Sequence, residues 1–227
     1  GLTPSVSKTM DKVEIATTGN AVDFGDMSTA NNPNGGTGMC SSTRGVYNHG
    51  STPSIVSTID YVIISSLGGA VDFGETSVAK KESGRLSNEI RGLIFGGTLT
   101  TRGLIGGGYN GSSYINTIEF VTITTTGDSE DFGDLSAAKM NVAAAGSSTR
   151  AVFGGGYTSN PHINSLEYVE FATKGNVTDF GDFSTGGGER GATSNNTRCV
   201  FGGQFSGSSP NRLNNIEYII ISSTGNA

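Results

Sequence analysis

The pattern of apolar and polar positions predicts short strands joined by polar turns. The clearest stretch lies between 141 and 184. Small apolar residues at 142–145 and an apolar run at 151–153 come first, and strands at 166–173 and 178–183 follow, separated by Ser, Thr, Gly and Asn. Alternation of apolar and polar residues is typical of a half-buried strand, and such polar spacers favour tight turns. The stretch therefore predicts one four-stranded antiparallel sheet.

The same order of segments recurs along the chain. Asp-Phe-Gly occurs four times, with its aromatic residue at Phe24, Phe73, Phe132 and Phe180. A Thr-Arg pair before an apolar run also occurs four times, at Arg44, Arg102, Arg150 and Arg198. An aliphatic-acid-aromatic-aliphatic segment starts at Ile59, Ile118, Leu166 and Ile216. The Asp-Phe-Gly motifs are 48 to 59 residues apart. Short strands within a repeat of this length predict a propeller or solenoid, whose units bury their faces against neighbouring units.

The repeats predict a single domain over 1–227. Closing strands occupy 1–30, and the repeats run over 31–76, 77–136, 137–184 and 185–227, of which the last is incomplete. Because the N-terminal segment matches a third and a fourth strand, we expect it to close a ring without a free sheet edge. The sequence gives 17 strands where four complete sheets need about 16. One terminal third strand is redundant, the chain is a piece of a larger ring, or rings are completed between chains.

We expect the repeated residues to have structural roles. We expect each phenylalanine of Asp-Phe-Gly to pack between adjacent sheets. We expect each arginine of the Thr-Arg pairs to approach an acid of the Asp-Phe-Gly-Asp segment in a charge-assisted contact. Cys40 and Cys199 stand at different points of their repeats, so we predict two buried, unpaired thiols.

Composition and charge narrow the possible partners. The chain has 36 Gly and only 5 Pro, which indicates many tight turns. A net charge of −6 argues against a nucleic-acid partner, which requires a clustered basic surface. No apolar run approaches the ~20 residues that a membrane-spanning helix needs, so no membrane partner is predicted.

The repeats resemble those of the kelch family. A double glycine ends the second strand at Gly107-Gly108 (or Gly96-Gly97), Gly154-Gly155 and Gly202-Gly203, although the first repeat has Asn48-His49-Gly50 there. Phenylalanine stands where kelch repeats carry a fourth-strand tryptophan. The resemblance implies an all-β, kelch-like β-propeller of about four four-stranded antiparallel blades. The Gly/Ser/Thr-rich composition is also similar to kelch-like virion proteins of marine bacteriophages.

The motifs do not predict catalysis. A catalytic Asp-Phe-Gly would not recur in every repeat, and the lysine and loops of a kinase are missing. The paired acids around Phe-Gly supply too few oxygens for calcium. His49 and His162 stand in unlike contexts, which disfavours copper. We therefore predict a non-enzymatic protein with no catalytic residues, no cofactor and no metal.

The loops that vary between repeats predict a recognition surface. The loops after the second strands diverge, whereas the turns after the first and third strands are nearly repeated, and the two sets lie on opposite faces. The aromatic residues expected to be exposed on the variable face are Tyr109, Tyr114, Tyr157, His162 and Phe205. The alternative is that these loops vary because nothing contacts them.

The expected function follows from the resemblance and this surface. We predict a structural or binding module on a bacteriophage virion surface, associated with the tail or capsid. Its partners would be other virion proteins, copies of itself or a host surface glycan. The alternative is a kelch-type protein–protein interaction scaffold of a cell, extracellular or cytoplasmic.

Overall fold

The computed structural model describes residues 7–14, 16–31, 38–48, 54–87, 102–158, 162–207 and 212–227. Within these ranges the chain is all-β, with antiparallel pairing throughout and no helix. In particular, the described residues include no helix with the length and apolar character needed to cross a membrane. The all-β class predicted from the sequence is confirmed.

The strands form one N-terminal pair and a series of sheets. The N-terminal pair consists of β1 (Ser7–Lys12) and β2 (Val22–Asn31). Sheet I contains β3 (Met39–Cys40), β4 (Arg44–Asn48), β5 (Thr58–Ile63) and β6 (Val71–Glu75). Sheet II contains β7 (Gly84–Ser87), β8 (Arg102–Tyr109), β9 (Tyr114–Thr122) and β10 (Glu130–Asp134). Sheet III contains β11 (Ala143–Gly146), β12 (Arg150–Gly154), β13 (Ser165–Glu170) and β14 (Thr178–Asp182). Sheet IV contains β15 (Gly191–Ser194), β16 (Arg198–Phe205) and β17 (Arg212–Ile220).

Each strand pairs with the strand before it, so every sheet is a meander. Successive sheets meet through their first strands, with β3 against β7, β7 against β11 and β11 against β15. Small residues suit this crowded position, and the alanines of β11 are buried there. The core lies between sheets. Phe73, Phe132 and Phe180 are buried at these junctions, as predicted, whereas Phe24 is half-buried.

The N-terminal strands pair with each other rather than with sheet IV. Met10 of β1 lies opposite Gly25 of β2, which is the register that places Ile59 opposite Gly74 in sheet I. The segment around Met10 therefore behaves as another third strand and occupies the edge of β2. In the described part of the chain β17 is an edge strand, and a closed ring is not seen.

The recurrence of Asp-Phe-Gly has a structural cause. The carbonyl oxygen of each phenylalanine accepts a hydrogen bond from a turn glycine of the following sheet, at 2.7–2.9 Å, in the pairs Phe24–Gly68, Phe73–Gly127, Phe132–Gly175 and Phe180–Gly225. The glycine that follows each phenylalanine has φ between 144° and 154°. A Cβ at Gly133, for example, would collide with the carbonyl oxygen of Gly175. The fourth strand therefore needs glycine for space, whereas the turn glycines, where a Cβ would meet nothing within 4 Å, are favoured by their φ of 151–157°.

The same turns also supply side-chain acceptors. The backbone N–H of Asp134 donates to Asn176 Oδ1 at 3.0 Å, and that of Asp182 donates to Asn226 Oδ1 at the same distance. Asp128 Oδ1 accepts a hydrogen bond in the same way from the backbone N–H of Glu75, at 3.1 Å. The nearly repeated turn after the third strand thus joins each sheet to the preceding one.

A buried acid on each third strand ties the sheets further. Glu119, Glu167 and Glu217 are ion-paired with Lys80, Lys139 and Arg190 of the segments that enter their sheets. The Lys139 Nζ to Glu167 Oε2 distance is 3.1 Å. Serine N–H groups add hydrogen bonds, as from Ser77 to Glu119 Oε1 at 2.8 Å. In sheet I the equivalent acid is Asp60, which accepts from the Ser28 N–H at 3.1 Å.

The predicted contact between the repeated arginines and the Asp-Phe-Gly-Asp acids is wrong. Arg44 stacks over Tyr61 at 4.6 Å and donates to the Ile123 carbonyl of the next sheet at 3.2 Å. Arg150 stacks over Tyr168 at 4.5 Å and donates to the Ile221 carbonyl at 3.0 Å. Arg102 and Arg198 stack in the same way over Phe120 and Tyr218. The third strand lies between the strand that carries each arginine and the strand that carries the acids.

The two cysteines differ, and the prediction that both are buried is wrong for one of them. Cys199 is buried, and burial raises the pKa of its thiol to about 12. Cys40 is exposed because its neighbour Met39 takes the inward position on β3. Neither cysteine forms a disulfide bond.

Candidate functional site: an aromatic row on the loop face

The five aromatic residues predicted from the variable loops lie side by side. Ring centroids are separated by 5.5 Å for Tyr109–Tyr114, 5.7 Å for Tyr114–Tyr157, 4.9 Å for Tyr157–His162 and 5.5 Å for His162–Phe205. We call these five residues the aromatic row. It runs without a break from sheet II to sheet IV. The rings are half-buried rather than fully exposed, because each packs against its neighbours in the row.

The row results from one position repeated in three sheets. In each sheet, a residue at the end of the second strand, or three residues beyond it in sheet III, faces a residue at the start of the third strand or shortly before it. The opposing pairs are Tyr109 with Tyr114, Tyr157 with His162, and Phe205 with Arg212. Arg212 stacks over Phe205 with its guanidinium carbon 5.0 Å from the ring centroid. Arg212 therefore extends the row by one cationic group.

Backbone hydrogen bonds fix the row in place. Tyr157 donates to and accepts from Met140, at 2.9 and 3.0 Å. Tyr109 forms the same double contact with Lys81, and Phe205 forms it with Gly188. The backbones of Tyr109, Tyr157 and Phe205 are therefore held by the segments that lead into their sheets.

Three residues with left-handed backbone follow those segments. Glu82, Asn141 and Glu189 have φ of 58°, 57° and 59°. They are linked across the sheets, because the Asn141 N–H donates to the Glu82 carbonyl at 2.9 Å and the Glu189 N–H donates to the Asn141 carbonyl at 3.2 Å. Residues other than glycine adopt this conformation at a cost of about 1–3 kcal/mol, and such residues concentrate at ligand sites.

Charge next to the row is largely paired. Lys81 Nζ lies 3.2 Å from Glu82 Oε1, and Arg212 is ion-paired with Glu189. Desolvation raises the pKa of the Tyr114 hydroxyl, and a hydrogen bond with Tyr157 and the nearby Tyr109 and Glu82 raise it further. Tyr114 is protonated at neutral pH, as tyrosines ordinarily are, and its hydroxyl can donate or accept a hydrogen bond.

This arrangement suits non-covalent binding. Half-buried aromatic rings offer apolar faces together with hydroxyl and imidazole groups that form directional hydrogen bonds. The described residues contain no cluster of three or more His, Cys, Asp or Glu side chains arranged to hold a metal ion. The row can therefore stack against a flat or partly apolar group while its polar edges select hydrogen-bonding partners.

Sequence reasoning found the aromatic members but missed the polar ones. Arg212 occupies the position of Tyr114 and His162. Six residues separate it from Phe205, whereas four separate the members of the other two pairs, and this longer loop hides the equivalence. Glu82, Asn141 and Glu189 occupy one repeated position. Their common feature is a positive φ, which residues other than glycine rarely adopt, so the residue types do not indicate it. The varied loop at 49–53 lies outside the described residues.

A second concavity lies on the opposite, turn-bearing face. It has a volume of about 340 Å³ and is lined by Ser147, Thr149, Arg150, Glu170, Asn196, Ile221 and Ser222. Arg150 there already donates to Glu170 and to the Ile221 carbonyl. Its lining belongs to the repeated contact between sheets, so the aromatic row is the better candidate site.

Comparison with known proteins leaves the kelch resemblance as a prediction. No protein-family model matches the chain, and no curated protein matches it.

Proposed function

We propose that this protein is a non-enzymatic structural and binding module of a bacteriophage virion surface, on the tail or capsid. The observation that carries the binding part is the unbroken aromatic row, which crosses three sheets and includes all five residues expected from the loops. The virion setting is supported by the Gly/Ser/Thr-rich repeats and their resemblance to phage kelch-like proteins.

The proposed architecture is a kelch-like β-propeller of about four blades, closed by the N-terminal strands. Supporting it are four consecutive sheets in the described chain whose first strands lie against one another. Repeated glycine contacts and buried ion pairs give each junction the same geometry. Identical junctions between successive sheets are what a radial array requires.

We propose a host surface glycan as the ligand of the aromatic row. Sugar rings present patches of C–H groups that pack on aromatic faces, and their hydroxyls pair with short polar groups. The charges beside the row are paired, as in Lys81–Glu82 and Arg212–Glu189, which favours a neutral glycan over a strongly charged one.

A glycan array probed with the purified protein tests this assignment. Tyr157→Ala removes the central ring, which contacts both Tyr114 and His162, so we expect loss of most of the signal. Leu67→Ala is the matched control, because Leu67 is an exposed apolar residue outside the row. Equal glycan binding by both variants and the unaltered protein would contradict the proposal.

A protein ligand is the second candidate, as in a kelch-type interaction scaffold. The paired charges around a half-buried aromatic centre resemble the polar rim and apolar core of a protein interface. Binding of virion proteins that is lost in Tyr157→Ala, together with an empty glycan array, would favour this function over glycan recognition.

A further inference from the structure

The aromatic row consists of three equivalent units, one in each of sheets II, III and IV. In each unit, backbone hydrogen bonds join the ring of the second strand to a residue on the segment that enters the sheet, in the pairs Tyr109–Lys81, Tyr157–Met140 and Phe205–Gly188. The next residue along each segment has the left-handed backbone, and these residues are Glu82, Asn141 and Glu189. The same backbone contacts therefore anchor one polar residue beside each ring position.

The two outer units carry charges that are neutralised within the protein. Glu82 is ion-paired with Lys81, and Glu189 is ion-paired with Arg212. The inner unit differs, because Asn141 is uncharged and half-buried. The centre of the row therefore offers a neutral polar group between two closed ion pairs.

Asn141 lies at the boundary between two units of the row. Its N–H donates to the Glu82 carbonyl at 2.9 Å, and its carbonyl accepts from the Glu189 N–H at 3.2 Å. A Cβ added to Gly188, the backbone partner of Phe205, would lie 3.2 Å from the Cβ of Asn141. The Asn141 side chain therefore starts where the row passes from sheet III to sheet IV.

The Asn141 amide is the group best suited to read hydrogen bonds of a ligand on the rings. The hydroxyl of Tyr109 already donates to the Gly111 carbonyl at 2.9 Å, and Tyr114 and Tyr157 share a side-chain hydrogen bond. An asparagine amide carries two N–H donors and one carbonyl acceptor in a single plane. It therefore recognises a ligand group that also presents a donor and an acceptor side by side.

An acetamido group has this pattern and suits the neighbouring rings. Its N–H donates, its carbonyl accepts, and its methyl group packs on an aromatic face. A sugar hydroxyl at the same carbon lacks the methyl group and the planar pair of donor and acceptor. A site that hydrogen-bonds one group of a ligand rejects the analogue without it, because buried polar atoms would lose their partners.

The length of the row indicates the length of the ligand. Neighbouring ring centroids are 4.9–5.7 Å apart, which is similar to the distance between successive sugar rings in a linear glycan. Because the row crosses three sheets, a chain of fewer than three sugars leaves at least one unit without a contact.

We propose that the aromatic row binds a linear, neutral glycan of three or more sugars that carries acetamido groups, and that Asn141 selects the acetamido group. This inference rests on the proposed glycan-binding function. It adds the class of sugar, the length of the chain and the residue that determines the specificity.

Two series of oligosaccharides test the proposal by titration calorimetry. They are β-1,4-linked oligomers of N-acetylglucosamine and of glucose, from two to six sugars, which differ in the acetamido group. We expect affinity for the first series to rise roughly tenfold or more between two and four sugars and then to level off. We expect the glucose oligomers to bind roughly tenfold more weakly or worse. Equal affinities for the two series overturn the proposal, as does an affinity that does not rise beyond two sugars.

Variants of Asn141 test its role in selection. Asn141→Gly removes the amide but keeps the left-handed backbone, which glycine adopts readily, and Asn141→Asp keeps the shape but lacks the N–H donors. Both should lose the preference for N-acetylglucosamine, and Asn141→Gly should still bind the glucose series as the unaltered protein does. Asn196→Gly is the matched control, since this exposed asparagine lies on the opposite face, and it should keep the preference. A preference that persists in both Asn141 variants overturns the assignment.

The glycan array separates failure of this proposal from failure of the proposed function. Binding that is lost in Tyr157→Ala but is directed at glycans without acetamido groups, or at single sugars and disaccharides, overturns the proposal and leaves glycan recognition in place. An array on which no glycan binds overturns both.

Discussion

Sheets III and IV contain nearly the same third strand in different surroundings. The segments are Leu166-Glu167-Tyr168-Val169 and Ile216-Glu217-Tyr218-Ile219. The acid and the last aliphatic residue are buried in both, because both segments face a preceding sheet. The first aliphatic residue is fully buried in sheet III and 75% exposed in sheet IV. Burial in this protein is therefore a property of the junction rather than of the segment.

The largest expected effect concerns the face of the third strand that is buried in both sheets. Glu167→Gln and Glu217→Gln each leave a buried cation, Lys139 or Arg190, without its ionic partner. We expect a loss of about 3–5 kcal/mol in the free energy of unfolding from both, measured by urea denaturation. Lys174→Ala breaks the exposed Lys174–Glu130 pair and should cost at most about 1 kcal/mol. A small effect of Glu217→Gln alone would show that the two junctions differ.

The second expected effect concerns the opposite face of the third strand, which is buried in sheet III and exposed in sheet IV. Leu166→Ala creates a cavity between sheets III and IV and should cost about 2–5 kcal/mol. Ile216→Ala truncates an exposed side chain and should cost less than about 0.5 kcal/mol at protein concentrations where the chain is monomeric. Equal losses in urea denaturation would mean that Ile216 is covered within a single chain.

A smaller effect isolates the glycine contact between sheets. Gly133 and Gly127 have nearly equal φ, 154° and 155°, but only Gly133 would place a Cβ against a neighbouring carbonyl. We expect Gly127→Ala to cost about 1 kcal/mol from the backbone conformation. Gly133→Ala should cost about 1–3 kcal/mol more, because the adjoining turn has to move. Thermal unfolding of the two variants measures this difference, and equal melting temperatures would contradict it.

The buried acid of sheet II predicts a dependence on pH. Burial alone would raise the pKa of Glu119, but the charge of Lys80 and hydrogen bonds from Lys80 and Ser77 outweigh it and lower the pKa below 4.5. This stabilisation is therefore present above pH 4.5 and is lost as pH falls through the lower folded-state pKa. The urea concentration at the midpoint of unfolding of the unaltered protein should decrease as the pH is lowered from 4.5. In Glu119→Gln the urea midpoint should decrease less over the same pH range. Parallel plots of midpoint against pH for the two proteins would contradict the role given to Glu119.

The smallest effect concerns reactivity rather than stability. The exposed Cys40 should react with a thiol reagent in the folded protein. Cys199 should react only after unfolding, because it is buried and its pKa is raised to about 12. Mass spectrometry after brief labelling distinguishes one modified thiol from two, and labelling of Cys199 in the folded state would indicate that sheets III and IV separate.

The strands and the members of the aromatic row were predictable because they depend on local signals. Alternating residues and glycine-containing turns mark the strands of sheet III, and the structure places them within a few residues of the expected bounds. The partners of the arginines were not predictable, since Arg44 reaches Ile123 in another sheet. The left-handed backbone of Asn141 was equally hidden, because it depends on contacts with the segments around it.

The sequence by itself determined the all-β class, the repeated sheet and the order of the aromatic positions, because strand alternation and turn chemistry act over a few neighbouring residues. Only the tertiary structure decided that β2 pairs with β1, that Ile216 is exposed while Leu166 is buried, and that Glu82, Asn141 and Glu189 form one line. These outcomes depend on which sheet lies beside which. Such long-range contacts combine residues far apart in the chain, and identical segments respond differently when their neighbours differ.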